Sequence, residues 1–258
     1  MSGRLYIGTS GFAYKEWKGP FYPADLKDAD MLPYYAGRFP TVEINYSFRR
    51  HPAETTLAAW RERTPDGFLF GLKAHQRITH TLRLTDPDES VRFFLDRVTL
   101  LGDRLGPILF QCPPSLRFDR ERLERFLDGL PEGHRYAFEF RHPSWAEGRP
   151  LLTDRGAWCV AETDDTPAPD ERIPAGPFAY LRLRKERYED DDLRTWAARI
   201  GQAVADGREV FCYFKHEDKG AGAIYAERMS ELVDPGADQP TADRSAADSA
   251  SVEDSSSF

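Results

Sequence analysis

Long apolar runs are missing from this 258-residue chain. A membrane-spanning helix needs about 20 predominantly apolar residues, so we expect no such helix. The segment before "LYIGT" also lacks the basic, apolar and small-residue regions of a secretory signal. Only three cysteines occur, Cys112, Cys159 and Cys212, and they lack the CxxC or Cys/His spacing of a metal site. Reduced, packed thiols and a cytoplasmic protein are the expectation.

An excess of basic residues is missing too. The formal net charge is −8, which argues against a protein that coats nucleic acid or an anionic membrane. The last residues, 234–258, are rich in Ala, Asp and Ser and have almost no large apolar side chains. Such a composition cannot bury enough surface to offset its ordering entropy, so we predict a disordered acidic tail.

No glycine-rich nucleotide fingerprint follows the first strand-like segment, since "GTSGF" has neither GxGxxG nor Walker spacing. This argues against a doubly wound open sheet. Strand-like segments alternate instead with helical patterns, among them residues 88–104 and 145–155, and the connection after strand six looks irregular. We predict one α/β domain over residues 1–233, a (β/α)₈ TIM-type barrel. Its strands are predicted at residues 5–9, 41–46, 68–74, 107–112, 136–141, 158–162, 178–184 and 209–215.

Charged residues alternate with aromatic ones in the predicted strands. In "AFEFRHPSW" Glu139 and Arg141 alternate with Phe138 and Phe140, and "TVEINYSF" places Glu43 in the same way. Because side chains alternate between the two faces of a strand, one set faces the helices and the other the barrel interior. The inward polar residues accumulate toward the C-terminal strand ends, where barrel enzymes assemble their sites. A functional mouth is therefore predicted there.

The inward residues suggest chemistry on an anionic ligand. Inward cations outnumber inward carboxylates, which favours a small molecule bearing a phosphate or carboxylate. Two glutamates can act as general acid and base if their pKa values are separated, and a desolvated lysine can serve as an electrophilic partner or a Schiff-base nucleophile. The candidate catalytic residues are Glu43, Glu139 and Lys73; the candidate ligand-binding residues are Ser10, Asn45, Gln111, Arg141, Arg182 and Tyr213.

Other interpretations stay open. The inward charges can form a purely structural network. A metal-dependent phosphodiesterase or nucleic-acid-processing protein is a second alternative, in which His75, His142 and His216 would join the glutamates around a divalent metal. No HxH or HExxH spacing supports a metal, and no motif indicates any other cofactor. A third alternative is a barrel that binds a ligand without catalysis. The oligomeric state is not indicated.

The order and spacing of six motifs make the chain resemble the YecE-like family, domain of unknown function 72. The motifs are "GTSGF", "FYP", "TVEINYSF", "FLFGLKAHQRITH", "FEFRHPSW" and "YFKHE". The resemblance implies an intracellular (β/α)₈ barrel and no particular reaction. The family pattern falls on Gly8, Ser10, Gly11, Glu43, Asn45, Lys73, Thr79, His80, Glu139, Arg141, Ser144 and Trp145. Arg49 and His75 depart from it.

Overall fold

The computed structural model describes residues 3–85, 87–166, 172–215 and 220–233. The predicted disordered tail, residues 234–258, and His216 lie outside these ranges. Eight parallel strands form one sheet in the order β1-β8-β7-β6-β5-β4-β3-β2, which confirms the predicted barrel. They are β1 (Leu5–Thr9), β2 (Thr41–Ile44), β3 (Leu69–Lys73), β4 (Leu105–Gln111), β5 (Tyr136–Glu139), β6 (Ala157–Glu162), β7 (Ala179–Leu183) and β8 (Val210–Phe214).

Helices connect most of the strands. They are α1 (Met31–Ala36), α2 (Glu54–Glu62), α3 (Asp88–Val98), α4 (Arg120–Asp128), α5 (Asp190–Ala205) and α6 (Ala221–Val233). Capping side chains mark the N-termini of two of them. Asp119 caps α4 by accepting a hydrogen bond from the Arg122 N–H, and Glu189 and Asp192 form a capping box at α5. The described part of the β6–β7 connection, residues 163–166 and 172–178, contains no helix, as predicted.

Two predicted helices are less regular than their sequences suggest. The pattern over residues 88–104 divides into α3 and a 3₁₀ helix, Thr99–Arg104, in which Gly102 has a φ of 57°. The other, predicted at 145–155, is a 3₁₀ helix, Pro143–Leu152, with Pro150 inside it. Glycine at positive φ and a proline without an N–H both interrupt the α-helical hydrogen-bond series, which explains the difference.

The barrel closes between β1 and β2 through a side chain. The Thr9 N–H donates to the Tyr35 hydroxyl at 2.8 Å, and that hydroxyl donates to the Thr41 carbonyl at 3.1 Å. Gly8 permits this close approach, because a Cβ there would lie 2.1 Å from the Thr41 oxygen. Two residues further along each strand, the Gly11 N–H donates to the Glu43 carbonyl at 2.8 Å. The Tyr35 hydroxyl and this backbone bond together join β1 to β2.

The barrel interior is filled from alternate strand positions, as the sequence pattern predicts. Small and aromatic side chains occupy its lower part, toward the N-terminal strand ends, and the charged residues lie above them. Strand β6, whose orientation the sequence leaves open, turns Ala157, Cys159 and Ala161 inward. The buried interior cluster consists of Tyr6, Leu69, Leu109, Ala137, Ala157, Cys159, Phe178, Tyr180, Phe211 and Tyr213.

Candidate functional site

The centre of the barrel mouth is an arginine between two glutamates. Arg182, on β7, donates from Nη1 to Glu139 Oε2 at 2.5 Å and from Nη2 to Glu43 Oε1 at 2.8 Å. Its side chain is only 2 % exposed, and its Nε is buried with no hydrogen-bond partner within the described ranges. Burial of an ionised group is expensive unless an opposite charge pairs with it, and here one cation serves two anions. The three groups therefore form a single coupled unit.

Glu43 accepts hydrogen bonds from four side chains. Besides Arg182, the donors are Ser10 Oγ at 2.7 Å, Tyr180 Oη at 2.7 Å and Asn45 Nδ2 at 3.1 Å. Burial alone would raise the pKa of Glu43, but the charges of Arg182 and Arg184 and the hydrogen bonds from Arg182 and Ser10 outweigh burial and lower the pKa to about 2. Glu43 is therefore ionised throughout the neutral pH range.

Glu139 is held in a similar way. Gln111 Nε2 lies 2.9 Å from each of its carboxylate oxygens, and Arg141 Nε donates to Oε1 at 2.8 Å. Burial again opposes ionisation, while the charges of Arg182 and Arg141 and the Gln111 hydrogen bond bring the pKa of Glu139 to about 2. The environments of the two glutamates thus give them similar pKa values instead of separating them.

Lys73 lies beside this unit at the end of β3. Its Nζ donates to Gln111 Oε1 at 2.6 Å and lies 3.9 Å from the centre of the Phe48 ring. Across the ranges that the structure covers, no carboxylate forms an ion pair with this amine. Burial and the nearby Arg182 lower the pKa of Lys73 to about 8, although both glutamates oppose the shift. Lys73 can therefore exist in either protonation state near neutral pH.

More cations surround the opening. Arg184 follows β7, is partly buried, and has its Nη1 atom enclosed with no hydrogen-bond partner in the part of the chain that the structure describes. Burial and the adjacent Arg182 charge lower the pKa of Arg184. The Arg141 side chain is 46 % exposed. The three cations around the mouth, Lys73, Arg141 and Arg184, form the cationic rim.

Two neutral groups adjoin the rim. Tyr14, from the loop after β1, donates from its hydroxyl to the Ser10 carbonyl at 2.9 Å, and burial followed by the Glu43 charge raises the pKa of Tyr14 to about 12. Burial, followed by the charges of Lys73 and Arg141, lowers the pKa of His80. His80 contacts the Phe48 ring at a centroid distance of 4.9 Å. A phenol and an imidazole thus lie beside the cationic rim.

The loop after β3 is strained where it reaches the mouth. A π-helical turn, Arg77–Thr81, contains His80, and Arg83 and Leu84 follow it with φ values of 52° and 64°. Non-glycine residues in this left-handed region carry a conformational cost of about 1–3 kcal/mol each. Both π-turns and such strain are frequent at functional sites, where they re-aim side chains.

The structure brings eight of the nine predicted site residues into one network; they are Ser10, Glu43, Asn45, Lys73, Gln111, Glu139, Arg141 and Arg182. Tyr213 is separate, because its hydroxyl pairs with Thr41 Oγ1 at 2.9 Å, one layer below Glu43 on β2. The predicted site residues did not include Tyr180 or Arg184, although both alternate in step with Arg182 and so are expected to face the barrel interior. His80 entered only through the family pattern, and Tyr14, which comes from the loop after β1, was not predicted as a site residue.

An open cavity of about 640 Å³ lies at the opposite, N-terminal end of the strands, near Gly176 and Arg208. Arg208 donates there to the carbonyls of Pro174, at 2.7 Å, and Ile173, at 3.4 Å. The Arg208 guanidinium therefore anchors the segment that contains Ile173 and Pro174.

No three His, Cys, Asp or Glu side chains in the described ranges come together as a metal-binding group. His216, the third histidine of the metal alternative, is outside those ranges. The helices that the structure describes include none with the length and apolar character needed to cross a membrane.

Comparison with known proteins gives consistent matches. The family described as "Protein of unknown function DUF72" matches residues 6–249. The Escherichia coli K12 protein YecE is 32% identical over 143 residues, which are 55% of this chain and half of YecE. Bacillus subtilis YunF is 24% identical over a match that covers 89% of this chain and 95% of YunF.

A solved structure supports the family match. The crystal structure of a DUF72 family protein from Thermotoga maritima superposes with a TM-score of 0.76 at 27% identity, and the match covers 90% of this chain and 99% of that one. The expected resemblance is confirmed by sequence and by fold. The chain belongs to the YecE-like DUF72 family, whose members share this barrel.

Proposed function

We propose that the C-terminal mouth binds a small anionic molecule, bearing a phosphate or a carboxylate, at the cationic rim. The observation that carries this proposal is Arg184, whose Nη1 is buried and has no hydrogen-bond partner among the described residues. A guanidinium normally gains its hydrogen bonds from carboxylate or phosphate oxygens. The carboxylates nearby, Glu43 and Glu139, are already bonded to Arg182, to Arg141 and to neutral donors. Arg184 as a whole is partly exposed, so a small shift of its guanidinium would let an incoming anion supply the missing acceptor.

The charges favour an anion as well. Glu43, Glu139 and Arg182 together carry one net negative charge, and the three rim cations add up to three positive charges. A net positive, partly desolvated opening attracts anions even on a chain whose total charge is −8. The Phe48 ring limits hydration on one side of Lys73, which strengthens its interaction with an anion.

The roles of the two glutamates follow from their shared low pKa. A carboxylate with a pKa of about 2 is a weak base and has no proton to donate at neutral pH. Glu43 and Glu139 therefore act as positioning residues for Arg182 and Arg141. Lys73, with a pKa of about 8, is the group suited to exchange a proton with a bound ligand. Ser10, Asn45 and Gln111 orient the carboxylates.

The test is calorimetric titration of the full chain with inorganic phosphate and, separately, with malonate. Replacing Arg184 by Gln removes a charge-assisted hydrogen bond worth about 1.5–3 kcal/mol, so the affinity for whichever anion binds should fall by roughly tenfold to a hundredfold. Arg187→Gln is the matched control, because Arg187 lies three residues away, is 79 % exposed and pairs with Glu189.

Binding that is equal in the two variants and in the wild type would overturn the proposal. So would an absence of heat with both anions in the wild type. An affinity loss confined to Arg184→Gln supports it.

A further inference from the structure

Lys73 differs from the other rim cations in its surroundings. Its Nζ contacts a neutral amide oxygen, Gln111 Oε1, and an aromatic face, Phe48. The acids that would ordinarily pair with a lysine, Glu43 and Glu139, are engaged by Arg182. A structural lysine at such a place would gain an ion pair, and this one has none among the described residues. The arrangement keeps an amine near guanidiniums and out of ion-pair contact with the two glutamates.

An amine in this setting has the properties of a nucleophile. Proximity of other cations and removal of water both favour the uncharged amine, which alone has the lone pair needed to attack carbon. The lowered pKa of about 8 agrees with the geometry. The side chain is also partly exposed at the C-terminal end of a barrel strand, where a ligand can reach it.

We infer that Lys73 forms an imine with a small carbonyl compound that also bears a carboxylate or phosphate, a role that rests on the proposed anion site. Arg184 and Arg141 hold the anionic group, and the carbonyl carbon meets Lys73 Nζ. Neither the family description nor the names of its relatives assign such chemistry.

The step is balanced without any further reagent. The Nζ lone pair attacks the carbonyl carbon, and the electron pair of the C=O bond moves to oxygen, which takes up a proton. The resulting carbinolamine loses that oxygen as water while a C=N bond forms and the amine gives up its two protons. Overall, an amine and a carbonyl become an imine and water, and the imine nitrogen can then be protonated.

His80 is placed to move these protons. It contacts the same Phe48 ring as Lys73, and its Nδ1 bonds to Thr79 Oγ1 at 2.9 Å, so its Nε2 remains for the ligand. Burial and the adjacent cations keep its imidazole neutral at pH 7, which allows it to accept a proton from the attacking amine.

The experiment traps the imine by reduction. The full chain is incubated with sodium cyanoborohydride and either pyruvate or dihydroxyacetone phosphate, which separate a carboxylate from a phosphate as the anionic group. Intact-protein mass spectrometry should show one adduct of the mass of the carbonyl compound less one oxygen atom. Peptide mapping of the wild-type protein should place it on Lys73, a result that depends on no variant.

Variants then sharpen the assignment. Lys73→Arg keeps the positive charge but has no nucleophilic amine, so the adduct should disappear, whereas Lys27→Arg, at an exposed lysine, should leave it unchanged. Arg184→Gln should slow the reaction at least tenfold. Acetone, which has a carbonyl but no anionic group, should react far more slowly than pyruvate.

The outcomes separate this inference from the proposed function. If phosphate or malonate binds and depends on Arg184, but neither carbonyl compound labels Lys73, the imine is overturned and the anion site stands. If adducts spread over surface lysines and persist in Lys73→Arg, the imine is likewise overturned. If no anion binds and Lys73 stays unlabelled, both fail. Labelling of Lys73 by acetone as fast as by pyruvate overturns the anionic substrate class.

Discussion

Arg182 Nη2 donates to Glu43 Oε1 across the barrel interior at 2.8 Å, linking β7 to β2. The same guanidinium holds Glu139 on β5 through its other terminal nitrogen. A single cation thus ties three strands together beneath the mouth. The stability of the barrel and the position of the rim depend on the same residue, which makes this contact the first to test.

Replacement of Arg182 by Met leaves two buried carboxylates without their cation. Removing one partner of a buried ion pair costs about 3–5 kcal/mol, and we expect the free energy of unfolding to fall by at least that amount at pH 7. Urea denaturation measures it. Arg194→Met is the control, since Arg194 is exposed and pairs with Asp190 one helical turn away, and its loss should cost less than about 0.5 kcal/mol. Equal losses would refute the central role of Arg182.

Acid should destabilise the wild-type protein through the same two glutamates. Their folded pKa values, about 2, lie below the ordinary value of 4.5, so their contribution is fully present above pH 4.5 and is lost as the pH falls toward 2. Thermal unfolding followed by circular dichroism between pH 7 and pH 3 measures this loss.

The Arg182→Met variant should respond in the opposite direction. Without the cation, burial raises the pKa of Glu43 and Glu139, and a protonated carboxyl is then the better buried form. Its melting temperature should rise as the pH decreases from 7 to 5, a range over which these two glutamates leave the wild-type value unchanged. A parallel acid loss in both proteins would contradict the assigned pKa directions.

Binding of malonate, whose two carboxylates both stay ionised above pH 7, should weaken as the pH rises through about 8. Lys73 loses its proton there, and an ammonium attracts an anion whereas an amine does not. Calorimetric titrations between pH 7 and pH 9.5 should show a several-fold loss in affinity. Lys73→Arg keeps its charge over this range, so its affinity should be nearly constant. The same slope in both proteins would assign the pH dependence to another group.

Tyr35→Phe tests the closure of the barrel. The substitution removes the hydroxyl that accepts from the Thr9 N–H and donates to the Thr41 carbonyl, and both backbone groups are buried. Buried polar groups left without partners cost about 1–3 kcal/mol each, so a loss of at least 1–3 kcal/mol is expected in urea denaturation. Tyr34→Phe is the matched control, because the Tyr34 hydroxyl only accepts from the exposed Arg38. Indistinguishable stabilities would show that Tyr35 is not needed for closure.

The sequence by itself determined the architecture. Strands and helices differ in hydrophobic period, so the eight strands and their order of connection could be predicted, and the two-residue alternation correctly turned Glu43, Glu139 and Arg182 inward. Such local rules depend only on neighbouring residues. They also predicted that the Lys73 side chain faces the barrel interior, because Lys73 alternates in step with the inward residues Leu69 and Gly71.

Only the tertiary structure decided which polar groups meet. Arg182 lies 139 positions from Glu43 and 43 from Glu139, and the side-chain conformation that joins them depends on strand register and barrel closure. That pairing lowers both glutamate pKa values together and leaves Lys73 without a carboxylate partner among the residues that the structure describes. Tyr213 faces inward as expected, yet it bonds to Thr41. Inward direction follows from local periodicity, whereas partnership follows from distances across the barrel that no local pattern encodes.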